Sequence, residues 1–519
     1  MRKLLILIIF LPSLQPLFSQ TTFQKVYGDA GTETEDCYSR GVESLKQTSE
    51  GGYIIAGSGQ YPEVGGRKRM YLIKTDSKGD TLWTRKIGDT ANSDVQANSI
   101  IVDNQGNYVA IINGFSTVNY LGLIKINPNG DTIWTKCFTS VLGNIGGYEL
   151  KQTSDNGYIA LGYGGFGEEG ACLIKTDING MLQWSKQLLP SVALAPLDII
   201  QTKDKGYLIA GSYTYNAGFA VKTDSIGNVL WIKNYADSTT KTSGDIISVI
   251  ELPSGDLVFA GDMSTGAWSC AWEWILKTDN SGNPIWSRRY ADTNYIVNYG
   301  ITIVQTPDKG FALAGNSLNY ANILKTDSLG NLLWTKDYYN GEFNSVVNTN
   351  DKGYALSGYT TFGVGARNFF LVKTDSLGNC GCNSFIPNPS IDTVFISITT
   401  FPLADTTTIY PFHTSMLIQK GMIVTNICFS EGILENKVQN SISVFPNPSF
   451  GQFTFELSNI IPANQELDIY NMLGEKVYTT KLCTASTPVN LSSQPKGVYL
   501  YRIVSENTAN SYSGKLIIQ

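Results

Sequence analysis

A repeat limits what this chain can become more than any other feature. A Lys-Thr-Asp triplet begins at Lys74, Lys175, Lys222, Lys277, Lys325 and Lys373, and Lys125-Ile126-Asn127 is its variant. Taken in order and by subtraction, the seven landmarks stand 51, 50, 47, 55, 48 and 48 residues apart. A period near fifty marks an array of one supersecondary unit. A Gly followed by an aromatic or apolar residue precedes the triplets, as in Gly52-Tyr53, Gly157-Tyr158, Gly206-Tyr207, Gly310-Phe311 and Gly353-Tyr354. A Trp follows each of the first six, at 83, 134, 184, 231, 286 and 334, four residues after a Gly.

Each unit holds four short runs rich in β-branched and aromatic residues. In the first they are 42–48, 53–58, 70–75 and 81–87. The breaks between them, such as Asp76-Ser77-Lys78-Gly79, are turn sequences: Asp caps its own backbone and Gly supplies positive φ. Four antiparallel strands per unit predict the blade of a β-propeller. A helical solenoid would show 3.6-residue periodicity instead. Aromatic residues are 11% and charged residues 16% of the 519, with 51 glycines, a balance that suits tight β-turns and argues against disorder. The seventh unit stops at Asn379-Cys380-Gly381-Cys382 without a Trp or a fourth strand. Phe23-Gln24-Lys25-Val26-Tyr27-Gly28-Asp29 aligns with Trp83-Thr84-Arg85-Lys86-Ile87-Gly88-Asp89. The N-terminal strand is therefore expected to complete the seventh blade and remove an open edge. The fold class expected is all-β: a seven-bladed β-propeller over 21–383, then a small C-terminal sandwich.

The Asp-x-x-Gly-x-x-x-Trp run resembles the tryptophan-docking repeat of quinoprotein-type propellers. That resemblance implies that each Trp packs between blades. The spacing from Asp to Gly departs from that family, and the adjacent Cys-Cys pair of quinone-binding members is missing, so the resemblance speaks to fold and no cofactor is expected. The repeated Lys is expected on a solvated strand face. The repeated Asp is expected to serve its turn, since an EF-like calcium site needs several more oxygens.

Residues 1–20 read as a signal peptide: Arg2 and Lys3, an apolar run from Leu4 to Leu11, then Ser19. Pro12 interrupts the apolar run too early for a membrane span, and no transmembrane segment is expected in the mature chain. Residues 384–440 read as a linker or as added strands. From Ser441 to Gln519 the chain resembles the C-terminal sorting domain of type IX secretion cargo of the Bacteroidetes. The resemblance rests on Phe445-Pro446-Asn447-Pro448 with Gly451, on Leu467-Asp468-Ile469-Tyr470-Asn471-Met472-Leu473-Gly474, on Gly497-Val498-Tyr499-Leu500-Tyr501-Arg502 and on the terminal Lys515-Leu516-Ile517-Ile518. It implies an immunoglobulin-like sandwich, a secretion machinery as partner, and export across both membranes to the surface or the medium.

The eight cysteines lack the paired CxxC spacing of a zinc site. Cys380 or Cys382 with Cys428 is one bridge the order allows; Cys137, Cys172 and Cys270 read as isolated thiols. A net charge of −6, with no basic run longer than Arg67-Lys68-Arg69, gives no reason to expect nucleic acid. His413, the only histidine, falls outside the repeats, so no His-based catalytic centre is expected.

Loops joining second to third strands, and those between units, vary in length and belong to one end of the fold. On a rigid scaffold such loops are where binding is placed. They contain the candidate ligand contacts Tyr61, Arg67, Arg69, Tyr213, Tyr215, Trp268, Trp272, Tyr295 and Tyr299. Trp268, Trp272 and Trp274 are the tryptophans outside the repeat series. The reading is a non-catalytic binder of a glycan or a surface protein, with no metal. Two others stay open. One is an extracellular polysaccharide lyase or glycoside hydrolase drawing on Glu168, Glu169, Asp262 or Glu273. The other is a structural surface protein without a small ligand.

Overall fold

The computed structural model describes residues 20–28, 43–430 and 442–519, less loop segments at 62–66, 90–93, 116–118, 141–142, 165–169, 191–193, 214–216, 240–243, 265–270, 293–297, 318–319, 364–366, 458–464 and 506–510 and shorter ones beyond 387. The proposed signal peptide falls almost wholly outside the described residues. Two compact units result, one ending at Ser430 and one beginning at Glu431.

The described residues of the first unit form seven five-stranded antiparallel sheets. The first sheet shows the plan: Leu45–Gln47 innermost, then Tyr53–Tyr61, Arg67–Thr75 and Thr81–Asp89. Successive innermost strands lie beside one another, and that of the seventh sheet, Gly341–Asn348, lies beside that of the first. The sheets therefore touch in cyclic order. Apolar side chains form separate wedges between neighbouring sheets, and the wedge of Phe23, Tyr27, Leu45, Tyr53 and Phe369 lies between the seventh and the first.

Residues Thr22–Gly28 pair antiparallel with Asn368–Thr374 in the seventh sheet, Phe23 opposite Lys373. The same rung in the first sheet sets Trp83 opposite Lys74. Phe23 thus occupies the place of a repeat Trp. Its ring meets Tyr53 of the next sheet at 6.2 Å, as Trp83 meets Tyr108 at 6.1 Å and Trp334 meets Tyr354 at 5.9 Å. The Trp83 indole N–H donates to the Pro128 carbonyl in the next sheet's turn (2.9 Å). The glycine of the corresponding turn in the seventh sheet is needed twice over. Gly378 has φ +75°, and a Cβ there would lie 2.6 Å from the Trp334 ring.

Residues 384–430 are not an idle connection. They run back around the ring and add the fifth, outermost strand to each sheet in turn. Ser384–Phe385 joins the sixth sheet, Pro389–Thr393 the fifth, Ile396–Thr399 the fourth, Leu403–Thr406 the third, Ile409–Phe412 the second and Met416–Gln419 the first. Ile423–Ser430 ends the series against Thr22–Gly28. This girdle pairs the outer edges that would otherwise stand open.

One expectation is corrected. The repeated lysines are not on a solvated face. Lys74, Lys125, Lys175, Lys222, Lys325 and Lys373 are buried. Each repeat lysine forms an ion pair with an acid of the preceding turn: Lys74 with Glu50 (3.0 Å), Lys125 with Asp103 (2.8 Å), Lys175 with Asp155 (2.9 Å), and so on through Lys373 with Asp351 (2.8 Å). The four-carbon stem fills the wedge between sheets while the ammonium reaches out to the turn.

The second unit has a three-stranded and a four-stranded antiparallel sheet. Phe453, Phe455, Leu467, Ile469, Tyr499 and Leu516 pack between them. Among the described residues no helix is long and apolar enough to cross a membrane.

Candidate functional site

The hairpins between second and third strands run further than the sequence suggested. Gly59 opposite Arg69, Gln60 opposite Lys68 and Tyr61 opposite Arg67 extend the first sheet's ladder. Tyr61, Arg67, Arg69, Tyr213 and Trp272, expected in loops, are therefore strand residues, because the backbone pairing continues to within a few residues of each tip; Tyr299, expected in a loop between units, lies in the innermost strand of the sixth sheet. Tyr215, Trp268 and Tyr295 lie outside the described residues, as do Glu168 and Glu169.

Trp272 is the candidate whose surroundings are best defined. It stands half-buried near the tip of the fifth sheet's hairpin, opposite Met263. The Arg289 guanidinium lies 4.4 Å from its ring centroid, a cation–π contact. Arg289 also pairs with Asp392 of the girdle (2.8 Å) and approaches Asp237 of the fourth sheet (3.8 Å). Asp392 is exposed. The result is a ledge of indole, guanidinium and open carboxylate. Trp274, two residues on, is core: its indole N–H donates to Ser287 Oγ (2.7 Å).

A second aromatic corner was missed by sequence reasoning. Tyr320 and Tyr339 face each other across the sixth sheet. Phe385 of the girdle comes within 5.1 Å and 4.8 Å of their ring centroids. Tyr339 is 42% exposed. Nothing in the sequence announced that Phe385 would return to this edge.

Of the four carboxylates considered for hydrolysis, Asp262 and Glu273 lie within the described residues. Asp262 and Glu273 stand opposite each other, but both are buried. Burial pushes Glu273 up to about 8 and Asp262 well above the usual carboxylate range. Asn322 of the sixth sheet donates to Glu273 Oε1, so this acid bridges two sheets.

A further charged group surrounds the inner ring. Six innermost strands carry a register shift, and Ser99, Glu149, Asp198, Ser248, Thr302 and Ser345 follow it, all buried. These groups reach across to the next sheet: Ser99 Oγ donates to Glu149 Oε1 (2.6 Å), Asp198 Oδ2 accepts from the Val249 N–H (2.8 Å), and Thr302 Oγ1 donates to the Asn344 carbonyl (2.6 Å). In the third and fourth sheets this position is an acid. Lys151 answers both, 3.5 Å from Glu149 and 3.5 Å from Asp198, and pairs also with Glu43. Burial pushes Glu149 up to about 8, Lys151 only partly opposing it. Burial acts the same way on Glu43, but Lys151 and Lys46 outweigh it and hold that carboxyl at about 2. The network joins neighbouring sheets. Among the described residues no three His, Cys, Asp or Glu side chains are arranged to hold a metal ion.

In the second unit, the Pro-Asn-Pro segment is joined to the chain end. Asn447 Nδ2 donates to the Lys515 carbonyl (2.7 Å), and its Oδ1 accepts from the Ile517 N–H (2.9 Å). The backbone of Ser449 exchanges hydrogen bonds with Ile517 and Gln519, both 2.9 Å.

No curated protein matches the chain. Solved structures resemble it at low identity. A protein of unknown function from Dyadobacter fermentans shares 12% identity over 56% of this chain and 81% of its own, with a TM-score of 0.32. A β-1,3-galactosidase of glycoside hydrolase family 43 shares 14% over 68% and 94%, also at 0.32. Drosophila Plexin A, in complex with Semaphorin 1b, shares 6% over 66% and 88%, at 0.36. Residues 443–519 match the family described as the secretion system C-terminal sorting domain, so the chain carries a type IX sorting domain and is exported, to the medium or to the cell surface.

Proposed function

We propose that the seven sheets are the blades of one closed propeller, preceded by a cleaved signal peptide, and that the exported ring binds a glycan at its variable rim without cleaving it. The observation behind the ligand reading is the Trp272–Arg289–Asp392 ledge. A pyranose offers an apolar face to an indole and hydroxyls to charged groups at its edge. Tyr339 beside Phe385 supplies a second ring on the neighbouring sheet. Tyr61, Arg67, Arg69, Tyr213, Tyr215, Trp268, Tyr295 and Tyr299 surround this rim in our reading. The C-terminal unit is proposed to be an immunoglobulin-like sandwich read by the secretion machinery.

A lyase or hydrolase reading would draw on Asp262 and Glu273, and the burial of both weighs against it. The test is a thermal-shift screen against polysaccharides. A ligand at about 100 times its dissociation constant adds about 2.7 kcal/mol to stability. The shift should appear with wild type and vanish in Trp272→Ala. Absence of a shift with every glycan would turn the reading to a protein partner, and product release would turn it to an enzyme.

A further inference from the structure

The four-stranded sheet of the second unit has a face that lies outside that unit's core. Its strands are, in spatial order, Lys476–Leu482, Gln465–Tyr470, Gly497–Ser505 and Ser511–Ile518. Successive strand residues alternate between faces. Leu467, Ile469, Tyr499, Ile503 and Leu516 point into the core, and Tyr501 meets Phe455 there at 5.0 Å. The residues between them point the other way, and the register sets them side by side. Ile517 lies opposite Val498, Leu500 opposite both Lys515 and Tyr470, and Arg502 opposite Asp468.

Two kinds of side chain share this outer face. Val498 and Leu500 are 40% and 41% exposed, and half-buried Tyr470 and Ile517 adjoin them. This apolar cluster adds nothing to the core, and a contiguous cluster on an open sheet marks a contact surface. Around it, Arg502, Lys476, Lys481 and Lys515 outnumber Asp468 and Glu466. The excess is positive on a chain whose net charge is −6. Asp468 is already paired with Lys476 (2.9 Å) and accepts from Thr479 Oγ1 (2.7 Å), so covering the face leaves that carboxylate with its partners. Asn447 fixes the strand that carries Lys515 and Ile517, through the Lys515 carbonyl and the Ile517 N–H. The face is therefore ordered before contact.

The match of residues 443–519 to the sorting-domain family identifies what meets this unit, the secretion machinery. We propose that a protein component of that machinery docks on the open sheet face, presenting an apolar surface rimmed by acidic groups. The inference rests on our reading that the machinery recognises the folded C-terminal unit. The apolar centre supplies the buried contact, and the cationic rim selects the partner and sets its orientation.

The test is export of the full chain in a bacterium that possesses a type IX machinery, read as the ratio of exported to periplasmic protein. Val498→Thr combined with Leu500→Thr keeps strand propensity and removes the apolar centre. Export should fall by about tenfold, with the thermal melt of the purified chain unchanged. Lys515→Glu should lower export by about threefold, and Lys515→Arg should not. Lys515→Glu leaves the apolar residues in place and decides the matter if the threonine pair does not fold. Phe450→Ser, at an 80% exposed ring beside Gln452, Thr454 and Pro488 of the three-stranded sheet, should be exported like wild type. The proposal falls if the folded threonine pair is exported like wild type, if Lys515→Glu and Lys515→Arg behave alike, or if Phe450→Ser is retained. It also falls if light scattering shows a wild-type dimer that the threonine pair dissolves with export unchanged, since the face then joins two copies of the chain. A chain ending at Ser430 separates the two levels. Its export would overturn recognition of the C-terminal unit, whereas its retention beside normal export of the threonine pair would overturn the docking face alone.

Discussion

Asn447 holds Ile517 by a side-chain amide placed like one rung of a β-ladder, accepting its N–H at 2.9 Å and donating to the Lys515 carbonyl two residues before it. The entry motif of the sorting domain and the chain terminus are thereby one structural element, although 70 positions separate them.

Asn447→Ala leaves one donor and one acceptor of the last strand without a protein partner. A loss of about 1–2 kcal/mol in the C-terminal unit is expected, with faster hydrogen exchange at Ile517. If the secretion machinery reads this docked terminus, export falls as well. Unchanged exchange at Ile517 would remove the amide from the account.

Phe23→Ala should cost about 3–5 kcal/mol, because the ring fills the wedge between the seventh and first sheets. Phe23→Trp restores the repeat residue and should cost less. Denaturant melts of the two variants decide between a docking ring and a merely apolar one.

The repeat ion pairs should respond asymmetrically. In Asp204→Ala the Lys222 ammonium loses its carboxylate while its stem stays buried, and about 2–3 kcal/mol is expected, less than for a fully buried pair. Lys222→Met keeps the stem and leaves Asp204 in water, so about 1 kcal/mol is expected. Equal losses would contradict this placement of the charge.

Stability should fall in alkali. Glu149 and Glu273 are pushed up to about 8 by burial, and Asp198 and Asp262 are raised in the same direction. Groups raised in the folded state stabilise it fully below their unfolded values, near pH 4, and that contribution is lost as pH rises through about 8. Glu43 and Asp155, held at about 2, act oppositely and lose their contribution as pH falls. The melting temperature should decline from pH 5 to 9, and Glu149→Gln with Glu273→Gln should flatten the decline.

A chain ending at Asn383 lacks the girdle and exposes the outer edge strands. It should associate in solution, and a chain ending at Ser430 should not. Size-exclusion chromatography of both checks this.

The repeat was legible because Trp, Gly and Asp each answer a local demand of one turn. The place of Phe23 followed from the same logic. The lysines were misread because a strand's alternation does not say which neighbour lies on each face. Lys175 meets Asp155 only after two turns are brought together. The girdle was illegible for a related reason: its strands of four or so residues carry no register of their own and take it from the edge they join. Phe385 could not be assigned to Tyr339 before that edge was known.

The pairing of Phe23 with Lys373 joins positions 350 apart, and the girdle strand that seals it comes later still. The strand of Phe23 must wait for the partner 350 positions later to be synthesised. Such distant contacts form slowly. The growing chain therefore passes through a long interval in which its beginning is committed to nothing, and the ring is finished only when its last strap is threaded.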